Sequence, residues 1–395
     1  MAPICGNSVV LCTPVFEHSL KVRSSACRLF DVNPVKFSSA SAMSEVALLS
    51  ESQSDFLRIP DWKTVLAEAI RDPQELCREL ELPSSLAEHA HQAGKGFPLL
   101  LPRTLLPRIR KGDPCDPVLR QFLPVWEETQ AAEGFTTDPL QEQAALAAPG
   151  ILSKYHGRIL IVTHPACPVH CRYCFRRHFP YVKALGGGPT RTETSYSTRP
   201  RLIASAVEYL TIHPEITEVI FSGGEPLIID DSDWIAWLEA LESIPHVRRV
   251  RVHTRMPVVI PQRVTADLVA TFKRCSLTKV VVLHANHPHE IDETVAEGIR
   301  RLRETGAYLF VQSVLLAGVN DSAEVLAELY EKLSELGVMP YYLHQLDRVS
   351  GTHHFEVSEE RGREIMAALR QRLPGYLVPR YVREVPGATS KVLIF

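Results

Sequence analysis

Hydrophobic positions follow two kinds of pattern along the central part of the chain, between residues 158 and 346. Short runs rich in β-branched residues alternate with stretches in which apolar residues recur every three or four positions. The short runs predict strands at 158–163, 218–222, 248–254, 279–283, 308–314 and 340–346. The intervening spacing, as in Val295, Ile299 and Leu302, predicts helices with one buried face. Alternating strands and helices indicate parallel strands with right-handed crossovers, so we expect an α/β fold, a partial TIM barrel of the (β/α)6 kind.

A helical region is predicted before this barrel, because Trp62, Val65 and Leu66 begin a series of apolar residues at helical spacing. A stretch rich in Gly, Thr and Ser at 183–200 predicts a mobile surface insertion. The beginning of the chain has no basic part before its short apolar part, which argues against a signal peptide. Its few acidic residues are compatible with a transit peptide, but Glu17 and Asp31 weaken that alternative, and we interpret the segment as a disordered tail or an early start. The predicted segments are therefore an N-terminal extension, a helical region with a connecting loop, the barrel and a C-terminal segment, at 1–54, 55–150, 151–373 and 374–395.

The overall composition narrows the class of protein. The 395 residues are 45% hydrophobic and 23% charged, which is usual for a soluble globular protein. The formal net charge of −3 predicts no general attraction to nucleic acid or membrane, and no apolar run approaches the roughly 18 residues of a membrane span. Nine cysteines fit a reducing compartment with metal-bound and free thiols better than a secreted disulfide scaffold. We therefore expect a cytoplasmic protein.

Three cysteines carry the strongest chemical signal of the chain. Cys167, Cys171 and Cys174 have the spacing C-x3-C-x2-C and directly follow the first predicted strand. Three thiolates can hold three irons of a [4Fe–4S] cluster and leave the fourth iron open for a ligand. A zinc site with His170 or His178 as the fourth ligand is the alternative. Active sites of β/α barrels lie at the carboxyl ends of the strands, which is where this loop is predicted to lie.

The cysteine spacing resembles the signature of the radical S-adenosylmethionine (SAM) enzymes, and this resemblance implies that SAM binds the open iron. After the second predicted strand, Gly223, Gly224 and Glu225 resemble the segment of those enzymes that binds the SAM amino group. Glycines allow a close backbone approach, although Gly-Gly-Glu-Pro is also an ordinary turn sequence. The expected fold is therefore a partial barrel of the radical SAM type.

Near the end of the chain, Lys391 lies in a Gly-containing segment. A lysine in that position is ordinarily a solvated charge, but such a segment is also able to fold over the barrel. Lysine is the residue that forms a Schiff base with pyridoxal 5′-phosphate (PLP). His284, His287 and His289 form a second histidine-rich group, for which hydrogen bonding within a loop is the preferred interpretation over a metal site.

Several collinear motifs together resemble the lysine 2,3-aminomutases. They lie at 167–179, 221–227, 255–263, 286–290, 312–321, 340–347 and 375–379. The motifs at 171–181 and 341–344 and the ending soon after Lys391 resemble the short branch of that family, which acts with a ligase to attach β-lysine to elongation factor P. Departures from the family are the 183–200 insertion, the N-terminal extension and Val392-Leu393 in place of the usual Thr-Pro.

The resemblance implies a role for each matching residue. It implies that the three cysteines hold the [4Fe–4S] cluster, that Lys391 binds PLP and that Arg176 binds the substrate carboxylate. It further implies that Asp347 receives the lysine ε-ammonium, with Glu384 standing where larger members have a second aspartate. Polar residues that the resemblance implies near the cofactors, besides Gly223, Gly224 and Glu225, are Arg158 and Gln312.

The implied activity is the conversion of L-α-lysine to β-lysine, in its (R) form, for β-lysylation of elongation factor P. The implied partners are L-lysine, an external electron donor of the flavodoxin or ferredoxin type and an elongation factor P β-lysine ligase. Three alternatives remain open at this point. They are a free-standing aminomutase of metabolism, a radical SAM enzyme that does not use PLP, and a non-catalytic protein that binds zinc or an iron–sulfur cluster.

Overall fold

The computed structural model describes residues 61–186 and 198–395. These residues belong to one compact unit, 59–395. The predicted N-terminal extension at 1–54 lies outside the described residues, as does most of the predicted insertion at 183–200. Within the described part of the chain, no helix is long and apolar enough to cross a bilayer.

The predicted helical region begins with three α-helices. They are α1 (Trp62–Ala67), α2 (Pro73–Glu79) and α3 (Ser84–Ala93). The start of α2 is fixed locally, because the Asp72 carboxylate accepts a hydrogen bond from the Gln74 amide at 2.9 Å and Pro73 occupies the first turn. Short 3-10 turns follow at Arg103–Arg108, Leu119–Gln121 and Trp126–Thr129.

A ten-stranded sheet forms the centre of the fold. Its strands are β1 (Leu146–Ala148), β2 (Ile151–Tyr155), β3 (Arg158–Val162), β4 (Glu218–Ser222), β5 (Arg249–Thr254), β6 (Thr278–His284), β7 (Tyr308–Val314), β8 (Met339–His344), β9 (Arg380–Arg383) and β10 (Val392–Leu393). They lie side by side in chain order. Strands β3 to β9 are parallel, and the pairs β1–β2, β2–β3 and β9–β10 are antiparallel. Chain-order neighbours are typical of a β/α barrel rather than of a doubly wound sheet, whose strand order reverses.

Helices connect the parallel strands. They are α4 (Tyr181–Ala184), α5 (Thr198–Ile212), α6 (Asp231–Glu242), α7 (Met256–Val259), α8 (Ala266–Arg274), α9 (Glu293–Arg303), α10 (Ala323–Glu335) and α11 (Glu359–Arg372). Further 3-10 turns lie at Pro226–Ile228, Pro261–Arg263, Pro288–Glu290, His353–Phe355 and Gly375–Leu377. The apolar positions that predicted α9, namely Val295, Ile299 and Leu302, are all buried in the core. The predicted α/β barrel fold is confirmed.

Four strands of the sheet were not predicted, namely β1, β2, β9 and β10. Strand β1 occupies the end of the predicted connecting loop, and β2 follows it directly. The hairpin of β2 and β3 turns at His156 and Gly157, where Gly157 has a φ of +75°. The seventh parallel strand, β9, is only four residues long, and its exposed ends flank Tyr381 and Val382. Strands β1, β9 and β10 have only two to four residues, too few to give a clear period in the sequence.

The sheet curls so that strands near its two ends approach each other. Strands β2 and β9 are separated by the six strands β3 to β8 in the sheet order. Yet Lys154 Nζ on β2 lies 2.6 Å from Glu384 Oε1, immediately after β9. An ion pair therefore joins the N-terminal hairpin to the C-terminal edge of the sheet.

Candidate active site

The loop that follows β3, residues 163–180, carries the three cysteines, and we call it the cysteine loop. Cys167, Cys171 and Cys174 are partly buried and are free thiols. Burial raises the pKa of Cys167 well above its usual range, and the nearby Cys174 and Cys171 sulfurs raise it further. Burial likewise raises the pKa of Cys174 to about 11, with Cys171 as the next cause. The three sulfurs are thus electrostatic neighbours, and thiolates at this site need a positive partner.

This arrangement fits a [4Fe–4S] cluster better than a single zinc ion. Among the described residues, no group of three His, Cys, Asp or Glu side chains is placed to hold one metal ion. A [4Fe–4S] cluster takes each thiolate on a different iron, so its ligands need not converge on a point. The proposed zinc ligands have other partners, because His170 Nδ1 lies 2.8 Å from Pro98 O and His178 Nε2 lies 3.2 Å from Ser350 O.

The cysteine loop is fixed against the N-terminal helical region by buried charges. Arg172 donates from Nε to Glu128 Oε1 at 2.8 Å, and Arg177 donates to Oε2 of the same carboxylate at 2.7 Å. Both guanidinium groups lie within 5 Å of the Phe97 ring centroid, at 4.8 and 4.9 Å. The His170 ring stacks on the same phenylalanine with centroids 4.6 Å apart. Cation–π and ion-pair contacts therefore hold the loop from its outer side.

A second buried network holds the loop from the barrel side. Tyr173 lies between Cys171 and Cys174 in the sequence. Its hydroxyl accepts hydrogen bonds from Arg255 and, at 2.7 Å, from Asn286 Nδ2. It also lies 3.0 Å from His284 Nε2. Arg255 is paired in turn with Glu290 at 2.6 Å. Tyr173 thus ties the cysteine loop to the ends of β5 and β6.

The two predicted SAM-binding glycines lie directly against the cysteine loop. A Cβ on Gly224 would lie 2.4 Å from the carbonyl oxygen of Ala166 and 2.7 Å from that of Pro165. Gly223 has a φ of +120°, which side chains rarely adopt. Glycine is therefore required at both positions for the loop after β4 to approach the cysteine loop.

Glu225 has four protein donors on its carboxylate. Oε1 accepts from Leu227 N at 3.0 Å and Thr254 Oγ1 at 2.6 Å, and Oε2 accepts from the Arg255 and Met256 amides at 2.9 and 3.2 Å. A carboxylate offers about four acceptor positions, so these bonds occupy them. Glu225 joins the ends of β4 and β5, and this saturation favours the backbone of the segment, rather than the carboxylate, as the contact for SAM.

Five charged side chains form a continuous series beside the cysteine loop. Arg176 pairs with Glu142, Glu142 with Lys154, Lys154 with Glu384, and Glu384 with Lys391. The four N–O distances are 2.6, 2.9, 2.6 and 2.6 Å. We call this series the ion-pair chain. It brings the predicted PLP lysine and the predicted carboxylate-binding arginine into one network.

Arg176 links this network to the loop after β4. Its Nε and Nη2 donate to Glu142 at 2.6 and 2.8 Å, and its Nη1 donates to Ser222 Oγ at 3.0 Å and Gly223 O at 3.3 Å. These four bonds use four of its five N–H donors, so one donor remains. Burial disfavours the charge of Arg176, but Glu142 outweighs this and raises the pKa of the guanidinium above its usual range. A substrate carboxylate at Arg176 would therefore share this side chain with Glu142.

The pKa values of the two predicted acidic residues, Glu384 and Asp347, are shifted in opposite directions. Burial opposes ionisation of Glu384, but the ammonium groups of Lys391 and Lys154 outweigh it and hold its pKa far below the usual range. Burial raises the pKa of Asp347 to about 7, Glu384 adds to this rise, and Lys391 and Lys154 oppose it. Glu384 is therefore ionised in the neutral pH range, whereas Asp347 titrates there.

Lys391 lies beside aromatic and imidazole groups as well as its carboxylate partner. Its Nζ is 5.9 Å from the centroid of the Tyr342 ring. Burial lowers the pKa of His344 to about 3, and the Lys391 charge adds to this effect, so this imidazole is neutral. An amine next to an aromatic face and a carboxylate fits the lysine that would hold PLP.

The remaining predicted cofactor residues lie on neighbouring strands. Arg158 opens β3, and its guanidinium carbon is 5.6 Å from the centroid of the Tyr155 ring. Gln312 lies within β7, where His284 of β6 and Tyr342 of β8 are its register partners. Gln312 is therefore flanked by residues that border the Tyr173 network and Lys391.

Sequence reasoning missed Glu142 and Lys154, two of the three inner members of the ion-pair chain. Lys154 belongs to a hairpin whose turn contains Gly157, and a glycine between two short apolar runs is a hairpin signal that was available. Glu142 lies in an irregular segment before β1, where the sequence carries no comparable signal.

Comparison with known proteins defines the class first. A model of the Radical SAM superfamily matches residues 161–330, which include the three cysteines and strands β4 to β7. With the parallel sheet and the cysteine spacing, this match makes the chain a radical SAM protein, and that superfamily implies a [4Fe–4S] cluster and SAM.

The family is defined by closer relatives. The chain is 46% identical over 334 residues to the L-lysine 2,3-aminomutase of Escherichia coli (strain K12), a match that covers 84% of this chain and 93% of that one. It is 44% identical over 334 residues to the same-named protein of Haemophilus influenzae, with coverage of 84% and 95%. The Clostridium subterminale protein of that name is 34% identical over 331 residues, with coverage of 84% and 77%. The chain belongs to the lysine 2,3-aminomutase family, whose members are isomerases.

Proposed function

We propose that this chain moves the α-amino group of L-lysine to the β-carbon, with PLP held by Lys391 and SAM held beside the cysteine loop. The observation that carries this proposal is the ion-pair chain. It brings Lys391 and Glu384 to one end of a network whose other end, Arg176, contacts the loop after β4 at Ser222 and Gly223. A substrate between these ends would lie between the proposed PLP lysine and the proposed SAM site.

The charges of the site match the two ends of lysine. Arg176 would bind the carboxylate through a charge-assisted hydrogen bond. Asp347 and Glu384 would receive the ε-ammonium, for which two carboxylates in a partly buried site are suitable partners. Glu384 already binds an ammonium group, that of Lys391, at 2.6 Å. That contact supports the assignment, because a lysine ammonium is the group that the substrate would bring.

When bound, the [4Fe–4S] cluster with SAM would supply a carbon radical for hydrogen abstraction, and PLP would supply an imine that delocalises the unpaired electron. The chain's own residues would hold and orient the substrate and the cysteine loop. Arg176 and Asp347 fix the substrate at both ends, so that its β-carbon is presented in one position. The Tyr173 and Glu225 networks hold the cysteine loop and the ends of β4 to β6 in a fixed arrangement.

We further propose that the β-lysine serves for modification of elongation factor P, together with a ligase and an electron donor of the flavodoxin or ferredoxin type. The support is the short-branch motif at 171–181 and the Tyr-Tyr-Leu-His sequence at 341–344. Incubation of the product with elongation factor P and its ligase, followed by mass measurement of the factor, tests this step. An unmodified factor in the presence of β-lysine would favour a free-standing metabolic role.

Anaerobic reconstitution with iron, sulfide, SAM and PLP, followed by mass spectrometry of products from L-lysine, tests the activity. Borohydride reduction of the PLP-loaded protein should label the C-terminal peptide on Lys391, because hydride fixes an imine at the lysine that carries it. Lys391→Ala should lose the label and the β-lysine while it keeps its iron. Lys111→Ala is the matched control, since that lysine pairs with Glu81 on the surface. A label on another lysine, or β-lysine formation by Lys391→Ala, would refute the assignment.

A further inference from the structure

Arg176 is held along its edges by hydrogen bonds and lies against an aromatic ring. Glu142 accepts hydrogen bonds from Nε and Nη2, at 2.6 and 2.8 Å, while Ser222 Oγ and Gly223 O accept from Nη1, at 3.0 and 3.3 Å. The centroid of the Phe175 ring lies 4.8 Å from the guanidinium carbon. These contacts fix one orientation, in which a single N–H, on Nη2, has no acceptor among the described residues.

Glu142 is a charged and fixed partner of this guanidinium. Its side chain is 2% exposed. Its amide donates to Asp138 Oδ1 at 3.0 Å and its carbonyl accepts from the Ala145 amide at 3.1 Å, so its backbone is held as well. Burial alone would raise the pKa of Glu142, but Arg176 and Lys154 outweigh burial and lower it below its usual value. The carboxylate that faces Arg176 is therefore ionised at neutral pH.

We propose that Glu142 is a positioning residue that fixes Arg176 with one N–H free, so that the substrate carboxylate binds through a single contact and less tightly than at an unpaired arginine. This inference rests on the proposed function, in which Arg176 binds that carboxylate. Glu142 thereby determines both the orientation of the carboxylate contact and its strength.

The geometric part of this role follows from the donors that are already used. A free guanidinium binds a carboxylate through two parallel N–H bonds. Glu142 occupies the side formed by Nε and Nη2, and both hydrogens of Nη1 are bonded to Ser222 and Gly223. A second carboxylate can therefore accept only the remaining N–H of Nη2, which restricts the substrate to one contact at Arg176.

The electrostatic part follows from the shared nitrogen. Glu142 Oε1 and the substrate carboxylate would both bond Nη2 of Arg176, so the two negative charges would be close neighbours. A charge this close to a carboxyl typically changes its ionisation equilibrium by about one to three factors of ten. Lys154 pairs with Glu384 as well as with Glu142, so it offsets the Glu142 charge only in part. Glu142 therefore weakens the binding of a carboxylate at Arg176.

The test compares 6-aminohexanoate with 6-aminohexanamide as ligands of the PLP-loaded chain in calorimetry at pH 7. Both ligands carry the ammonium end of lysine, so the ratio of their dissociation constants reports the carboxylate contact alone. Glu142→Gln should raise the preference for the carboxylate about tenfold or more, because Arg176 loses the competing charge. Glu128→Gln is the matched control, since it removes another buried carboxylate that holds the cysteine loop, and it should leave the preference unchanged.

Arg176→Gln separates this inference from the proposed function. If that variant keeps the wild-type preference, Arg176 does not bind the carboxylate, and the proposed assignment fails together with the inference. If it loses the preference while Glu142→Gln leaves it unchanged or lowers it, the assignment stands and the inference is overturned. If Glu142→Gln does not fold by circular dichroism, the double variant with Lys154→Gln removes an ion pair instead of one charge, and the same rise is required of it.

A kinetic measurement on the reconstituted enzyme tests the orientation of Arg176. Glu142→Gln should lower KM for L-lysine and also lower kcat for β-lysine formation, because the carboxylate binds more tightly to a guanidinium that is no longer held in one orientation. Loss of loop anchoring alone would not lower KM, and Glu128→Gln should leave KM unchanged. A KM that is unchanged or raised in Glu142→Gln, or an unchanged kcat, overturns the inference.

Discussion

The cysteine loop and residues 384–391 of the C-terminal segment meet at the same network but are held by different kinds of contact. The cysteine loop has buried partners on two sides, Glu128 on the outside and the Tyr173 network within. Glu384 and Lys391 are held by ion pairs, with side-chain exposures of 15% and 20%. The residues between them are mostly exposed.

This difference matches what the two regions have to do under the proposed function. A metal cluster needs ligands that stay in one place, and a loop with several buried partners provides this. A lysine that alternates between a cofactor and its carboxylate partner needs to leave that partner. Lys391 pairs with Glu384 and its side chain is 20% exposed, so it is easier to release than a side chain with several buried partners.

The largest effect on activity is expected in the cysteine loop. Cys171→Ala should abolish both iron retention and SAM cleavage after anaerobic reconstitution, because two thiolates are too few to fix the cluster. Iron content by colorimetry and 5′-deoxyadenosine by chromatography measure the two effects. Cys275→Ala, which removes a buried cysteine outside the loop, serves as the control. Normal iron and cleavage in Cys171→Ala would contradict the assigned role.

Lysine use should fall strongly when Asp347, beside Glu384 and Lys391, is replaced. Loss of one partner of a buried charge costs about 3–5 kcal/mol, so Asp347→Ala should reduce kcat/KM for lysine by two orders of magnitude or more. In the wild type, the affinity for lysine should fall as the pH drops below about 7, because Asp347 then becomes protonated. The ε-ammonium stays charged across this range. Unchanged kinetics in the variant, or a flat pH profile from 6 to 8, would rule out this contact.

The smallest catalytic effect is expected behind the cysteine loop. Glu128→Gln leaves the Arg172 and Arg177 charges unpaired, so the free energy of unfolding should fall by about 3–5 kcal/mol in denaturant titrations. Chemistry in the protein that remains folded should change little, because Glu128 does not reach the proposed substrate. The exposed pair of Lys111 and Glu81 gives the control, and Glu81→Gln should change stability by less than about 1 kcal/mol. Equal effects of the two variants would contradict the conclusion that buried charges behind the cysteine loop hold it in place.

Much of the fold could be predicted because its signals are local. Each of the six predicted strands is present, since runs of β-branched residues and helices with a 3.6-residue period are recognisable within short windows. The family could also be recognised, because the cysteine spacing and several motifs survive in order along the chain. The roles assigned to single site residues remain predictions that the experiments above test.

The pairing of Lys154 with Glu384 was decided by the tertiary structure alone. The two residues are 230 positions apart in the sequence and six strands apart in the sheet. Their contact arises only when the sheet curls, and one sequence contains no local pattern that relates a lysine in a short hairpin to a glutamate after the last parallel strand. The sequence by itself was enough to predict the strands β3 to β8, the helices with a 3.6-residue period and the cysteine loop. The curling of the sheet determined which charges face each other, because Coulomb interactions depend on distances in space and not along the chain.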